Sequence, residues 1–435
     1  MRVAVIGAGH VGLVTAVTIA QLGHDVMASD NDPEKIAELD EGRAPFFEPG
    51  LEDAMRDNSE RLKFTSVGAE AIADADVVFV CVGTPPRASG EANLAAVEQV
   101  AREIARHATG RTVVVDKSTV PAGTARRVLR TLARERPELA ESIAVVSSPE
   151  FLREGKALED SLNPERILVG GDSEWAFKTM RTLYRPLLDK GCELIETDIE
   201  TAELAKHACN AFLALKISFA NALARICELS GADVVDVARV MGADPRIGPQ
   251  FLRAGIGYGG YCFPKDLQAF ERLSSKLGYE FPLLKEIERI NNDAVDQAVA
   301  KVNEAVWNLE DKRIALWGLS FKPETDDTRF SPALAVARRL LDEGAQVVGY
   351  DPQAGGAAKA ELPDLEVASD MYEAARGAHC LVLCTEWNEF ATADLARLKE
   401  EMSYPVIVDG RNLFDPKEME RFGFTYYPTG RPAIA

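Results

Sequence analysis

Cys262 lies in the most unusual run of this 435-residue chain, Gly255-Ile256-Gly257-Tyr258-Gly259-Gly260-Tyr261-Cys262-Phe263-Pro264-Lys265-Asp266. Four glycines in six positions allow a close backbone approach to a ligand. Pro264 suits the first position of a helix continuing through Leu267 to Lys276. A thiol there stands at a helix N-terminus beside Lys265, two influences that lower its pKa toward the reactive thiolate. The plain alternative for any cysteine is a small buried side chain, and it suffices for Cys81, Cys209, Cys227, Cys380 and Cys384 in their apolar strands and helix. Cys192, in a more polar turn, has no evident role. Cys262 alone reads as a nucleophile. Lys206 and Asn210, four apart, share one face of an otherwise apolar helical turn. That lysine either snorkels to solvent or points into a polar site. Glu150 closes what reads as the last strand of the first domain, at the sheet edge where ligands sit.

A second set of residues suits a dinucleotide. Gly7-Ala8-Gly9-His10-Val11-Gly12 follows a strand and opens a helix, and Asp30 ends the next strand 18 residues after Gly12. The first glycine makes the tight turn, the second admits pyrophosphate and the third lets the helix pack on the sheet. The helix N-terminus offers N–H donors to phosphate. Asp30 suits the ribose hydroxyls and repels a 2′-phosphate, so NAD is expected rather than NADP. Val82-Gly83-Thr84-Pro85-Pro86 and Lys117-Ser118-Thr119-Val120-Pro121 each follow a strand, at the sheet edge where ligands sit. Taken alone, either loop reads as ordinary turn chemistry.

The elements that must carry these residues fall into three regions. Up to residue 197, buried-length runs (Val3–Ile6, Val26–Ala28, Val77–Val82, Thr112–Val115, Ile143–Val146) alternate with helical patterns, as in a parallel sheet of βαβ units. Residues 198–305 change character, with one long helix over about 200–230 that reads as a spine. From 306 to 435 the α/β pattern returns, with strands at Ile314–Trp317, Gln346–Tyr350, His379–Cys384 and Val406–Val408 and a helix over Pro332–Asp342. Gly23-His24-Asp25-Val26 leading to Asp30 parallels Gly344-Ala345-Gln346-Val347 leading to Asp351. The expected fold is therefore α/β: two Rossmann-like domains joined by a long central helix and a helical middle domain.

Composition narrows the partners. The chain carries 49 Lys and Arg against 69 Asp and Glu, a net charge of −20, which disfavours nucleic acid and anionic membranes but not a small anionic ligand. Seven cysteines without a Cys-x-x-Cys pair argue against disulfides or a metal site and for reduced, cytosolic thiols. The N-terminus reads directly into a strand, without a signal-peptide pattern. No stretch supplies the roughly 20 apolar residues of a membrane span. A cytoplasmic enzyme is expected.

Together these residues resemble the UDP-glucose/GDP-mannose dehydrogenase family over nearly the whole chain. The resemblance rests on the fingerprint, on Ser148-Pro149-Glu150-Phe151-Leu152-Arg153-Glu154-Gly155 with Asn163-Pro164-Glu165-Arg166-Ile167, and on Lys206 to Asn210. Asp244-Pro245-Arg246-Ile247-Gly248, the cysteine loop, and Phe321-Lys322-Pro323 through Asp327-Thr328-Arg329 continue it. It implies oxidation of a sugar-nucleotide C6 alcohol to a carboxylate with two NAD, through a thiohemiacetal and a thioester on Cys262. The Asn163–Ile167 run points to the UDP-glucose branch, with GDP-mannose and UDP-N-acetylmannosamine as neighbouring alternatives. By the same resemblance Lys206 and Asp266, the latter through a water, handle the alcohol proton and stabilise the oxyanion, Asn210 shares the oxyanion role, and Glu150 serves as acid and base with Thr119 nearby. Gly7, Gly9, Val11, Gly12, Asp30, Lys35, Thr84, Thr119, Glu154, Lys265 and Arg329 would hold NAD. Phe151, Leu152, Arg153, Phe251, Leu252, Arg253, Ala254, Gly255, Gly259 and Lys322 would join Glu150, Glu154, Lys206 and Asn210 on the UDP-sugar. Arg246 would reach substrate, often across a homodimer built on the long helix. One departure is Tyr261, where many members have serine. The rival readings are a two-electron hydroxyacid-type dehydrogenase, which needs no cysteine, and an NAD-binding sensor without chemistry.

Overall fold

The valine-rich runs bury both of their faces, because successive side chains of a strand point to opposite sides. In the computed structural model, which describes residues 1–139 and 141–434, they pair into two sheets. The first comprises Arg2–Ile6 (β1), Asp25–Ser29 (β2), Leu62–Thr65 (β3), Val77–Val80 (β4), Thr112–Asp116 (β5), Ile143–Ser147 (β6), Arg166–Gly170 (β7) and Glu193–Thr197 (β8). Its order is β3-β2-β1-β4-β5-β6-β7-β8. Val3, Val5, Phe79, Val113 and Val115 meet Leu13 and Val17 of the helix His10–Gln21 on one face. Ala4, Val78, Val80 and Val114 meet Ile104 and Leu132 on the other. Strand order reverses about β1, the crevice where open α/β sheets take ligands.

Two expectations are corrected here. Glu150 does not follow the last strand of its domain, since β7 and β8 come after it. The sheet is also not wholly parallel, because β6 and β7 pair antiparallel at Ser147 and Gly170.

The second sheet comprises Arg313–Trp317 (β9), Gln346–Tyr350 (β10), Glu366–Val367 (β11), Cys380–Leu383 (β12), Val406–Asp409 (β13) and Thr425–Pro428 (β14). Its order, β11-β10-β9-β12-β13-β14, repeats the first six positions of the other sheet. Ile314, Leu316, Val382 and Val408 fill one face, and Ala315, Trp317, Leu381 and Ile407 the other. The internal sequence parallel thus has a counterpart in topology.

The long helix spans Ile199–Ser230, 32 residues, or about 48 Å at 1.5 Å per residue. The cysteine helix spans Cys262–Lys276, two residues earlier than Pro264 suggested, and Pro282–Val306 forms another long helix. The chain divides into two compact units, Met1–Cys209 with Gln268–Tyr279 and Asn210–Leu267 with Glu280–Ala435. Among the described residues no helix is long and apolar enough to cross a membrane.

Candidate active site

In the first unit the glycine turn has the shape a dinucleotide requires. Gly7 adopts φ +100° and donates to the Ser29 carbonyl at 2.7 Å. A Cβ on Gly12 would lie 1.7 Å from the Gly7 carbonyl oxygen, so only glycine lets the helix begin this close to the sheet. A Cβ on Gly9 would meet nothing within 4 Å, leaving the open side on which a pyrophosphate fits. Val11 is half-buried in the same turn. Asp30 directly follows β2, accepts the Ala8 N–H at 2.9 Å and pairs with Lys35 at 2.9 Å. Burial works against its ionisation, but the Lys35 ammonium and the Ala8 and Asp32 N–H groups outweigh it and hold the carboxyl below its usual range.

The next strand ends bring further residues together. The Thr84 hydroxyl donates to the Thr119 carbonyl at 3.0 Å, joining the β4 and β5 loops. Lys206 does not snorkel. Its ammonium pairs with Glu150 at 3.0 Å with 4% and 6% of the side chains exposed, and lies 5.2 Å over the Phe151 ring. Glu150 also accepts the Leu152 N–H at 2.6 Å. Arg153 is tied to Asp160, and Glu154 is half-buried. Burial pushes the Lys117 ammonium down, partly offset by Cys81 and Glu150.

In the second unit Cys262 is the first residue of its helix. Asp266 binds the Asn210 amide at 2.6 Å through one oxygen and Lys265 at 2.7 Å through the other. Asn210, Lys265 and Asp266 are all buried, so the carboxylate and ammonium in the first turns of the cysteine helix are fixed against an amide of the long helix. Lys265, expected as the cation of the thiol, is thus held by Asp266. Tyr261 stacks under two cations, Arg329 at 4.5 Å and Lys265 at 5.5 Å. Burial raises its hydroxyl pKa.

The glycines of this loop differ from the sequence reading. A Cβ on Gly259 would lie 2.3 Å from the Phe330 carbonyl oxygen, and one on Gly260 would lie 2.8 Å from the Phe321 ring. Gly255 and Gly257 are crowded in the same way, by Gly410 and Asn291. They let the loop approach the protein itself, whatever ligand it also meets.

Other sequence-singled residues are dispersed. Leu252 and Ala254 are buried in the core, and the Phe251 ring lies 6.4 Å from Phe263. Arg253 is 71% exposed. Arg246 is 87% exposed and forms a pair with Asp244. Arg329 pairs with Asp327, and Lys322 lies 5.9 Å from the Phe321 ring centroid. The turn after β9 is closed by the carboxylate that follows β10: Asp351 accepts the Leu319 and Ser320 N–H groups at 2.7 and 3.0 Å.

Sequence reasoning missed the residues that hold the Thr119 loop. Glu203 accepts the N–H groups of Gly123 and Ala125, and a ring nitrogen of His207 lies 3.0 Å from the Val120 carbonyl oxygen. Burial pushes the Glu203 carboxyl up to about 7 despite those donors. Glu203 precedes Lys206 by three residues and His207 by four on the long helix, and that spacing was the available signal.

A dinucleotide-type glycine turn, an acid at the end of β2 and a helix-borne thiol define an NAD-dependent dehydrogenase with a second, Rossmann-like nucleotide domain. The chain belongs to the UDP-glucose/GDP-mannose dehydrogenase family: residues 1–188 match its NAD binding domain, 200–293 its central domain and 315–416 its UDP binding domain. A UDP-glucose 6-dehydrogenase of Rhizobium meliloti is 46% identical over 99% of this chain and 100% of its own length. One from Pseudomonas aeruginosa is 42% identical over 99% of this chain and 98% of its own. The structure of a UDP-glucose dehydrogenase from Pyrobaculum islandicum superposes with a TM-score of 0.91 at 38% identity, covering 99% of this chain and 98% of that one. A UDP-D-ManNAc dehydrogenase from Pyrococcus horikoshii gives 0.86 at 28%, covering 99% of both chains.

Proposed function

We propose that this protein oxidises the C6 alcohol of UDP-glucose to the carboxylate of UDP-glucuronate, using two NAD and one water. The observation that carries the choice of sugar is the full-length identity, 46% and 42%, to enzymes named for UDP-glucose. Bound NAD supplies the acceptor of two electrons in each of two oxidations. Gly7, Gly9, Gly12 and Asp30 are the residues that fit it, with Val11, Lys35, Thr84, Thr119, Glu154, Lys265 and Arg329 as further proposed contacts.

Lys206, buried and charge-paired, stabilises the alkoxide with Asn210 sharing the oxyanion role, and Asp266 takes up the alcohol proton through a water. The Cys262 thiolate adds to the aldehyde carbon to form a thiohemiacetal, which is oxidised to a thioester. Water, with its proton taken by Glu150 and Thr119 nearby, cleaves the thioester, returning the thiolate and releasing the acid. The retained aldehyde neither hydrates nor escapes between the oxidations. Lys322, Arg246, residues 251–255 and Gly259 are assigned to the UDP-sugar. The domain division is taken as 1–197, 198–305 and 306–435.

Assayed with UDP-glucose, the protein is expected to yield two NADH per uronate formed. One NADH per turnover with a ketone product would replace this reading with the hydroxyacid type. GDP-mannose or UDP-N-acetylmannosamine as the better substrate would move it within the family.

The partner is a second copy. Phe212, Phe219 and Ile226, spaced by seven on the long helix, are 62%, 48% and 59% exposed, and Leu229 beside them is 76% exposed. A stripe of this kind on a helix suits a helix–helix interface. Phe219→Glu is expected to convert a dimer to a monomer by analytical ultracentrifugation. A monomeric parent protein would exclude the interface.

A further inference from the structure

Glu48 takes no part in the chemistry above, yet its side chain is wholly buried. A carboxylate removed from water requires donors in return. Its oxygens accept the N–H groups of Gly155 and Ala157, each at 2.7 Å; the buried His10 Nε2 lies 3.2 Å from one of them, within ion-pair distance but not aligned as a hydrogen bond. His10 is the first residue of the helix that leaves the glycine turn. Its ring stacks on Phe46 with centroids 4.3 Å apart. Phe46 itself packs against the core of the first unit. One short strap therefore grips the cofactor turn through Phe46 and Glu48. The same carboxylate grips the main chain immediately after residues 150–154.

We propose that Glu48 is a positioning residue that couples the NAD turn, through His10, to the segment carrying Glu150. Glu150 enters as the acid–base residue proposed above, and the catalytic half of the inference rests on that role. Phe46 and Glu48 fix the imidazole before cofactor arrives, so less side-chain freedom is lost on binding. Any shift of His10 toward bound NAD is passed to the Gly155 and Ala157 amides by the carboxylate between them. Coupling of this kind is an energy shared by two sites, and it is read as non-additivity.

In a cycle of His10→Phe, Glu48→Gln and the double variant, each single change is expected to weaken NAD at least about threefold in a fluorescence titration. The double variant is expected to weaken it by less than the product of the two. Glu48→Gln is also expected to lower kcat about tenfold with saturating NAD. Effects that multiply independently, or Glu48→Gln behaving as the parent, would overturn the proposal. Should Glu48→Gln fail to fold, hydrogen exchange on the unaltered protein decides: NAD is expected to slow the Gly155 and Ala157 amides, and His10→Phe to abolish that slowing. No change at those amides on adding NAD overturns the coupling. Glu150→Gln at parental turnover would remove the role of Glu150 and leave the NAD cycle and the exchange result to judge Glu48.

Discussion

Cys262→Ala is expected to lower uronate formation by at least about a thousandfold, as loss of a covalent nucleophile does, while NAD binds as before. The side chain stands at the start of a fifteen-residue helix, where N–H dipoles favour an anion. The neighbouring Lys265 pairs with Asp266 at 2.7 Å. Without the thiol, the first oxidation still has its alkoxide-stabilising groups, but the aldehyde has no covalent anchor. The variant is therefore expected to give one NADH per sugar and to release aldehyde slowly. Chromatography of the UDP-sugar products, with an aldehyde trap, measures both. Undiminished UDP-glucuronate would exclude Cys262 as nucleophile.

How much of this was legible beforehand depended on burial. Central strands such as Val77–Val80 and Thr112–Asp116 are apolar on both faces, and they stand out as continuous runs. The strands that escaped notice are β3 and β8, at the two edges of the first sheet, β11 and β14, at the edges of the second, and the internal β7, which has four buried residues but enters the sequence reading only through the Asn163–Ile167 run. An edge strand has one free side and few buried residues, and Glu193–Thr197 is exposed along much of its length. Its sequence carries little apolar pattern for that reason. The same contrast holds for the site. The glycine turn and the cysteine loop are local signals, readable within a dozen residues. The Glu150–Lys206 pair and the Glu48 contacts to Gly155 and Ala157 join residues 56 and more than 100 positions apart, and no local pattern encodes them. The crowding of Gly259 against Phe330 is equally non-local. Glycine is visible in the sequence; what it makes room for is not.

Lys206→Met is expected to damage stability and catalysis together, and the two losses can be separated. The ammonium and the Glu150 carboxylate are 3.0 Å apart, with 4% and 6% of their side chains exposed. Removing one partner leaves a buried carboxylate without its counter-charge, a change that costs about 3–5 kcal/mol. Part of that cost is recoverable, because Glu150 can take up a proton in the variant. The melting temperature of Lys206→Met is therefore expected to fall at neutral pH and to approach the parental value as pH is lowered. The double variant Lys206→Met/Glu150→Gln removes both charges, and it is expected to regain most of the lost stability at pH 7. Turnover follows a different rule. No methionine or glutamine stabilises a developing alkoxide as an ammonium does, so kcat is expected to remain down by about a hundredfold or more in both variants. Calorimetry with steady-state NADH production checks the pair. Restored turnover in the double variant would exclude both the oxyanion role of Lys206 and the acid–base role of Glu150, and stabilisation of the oxyanion would then pass to Asn210.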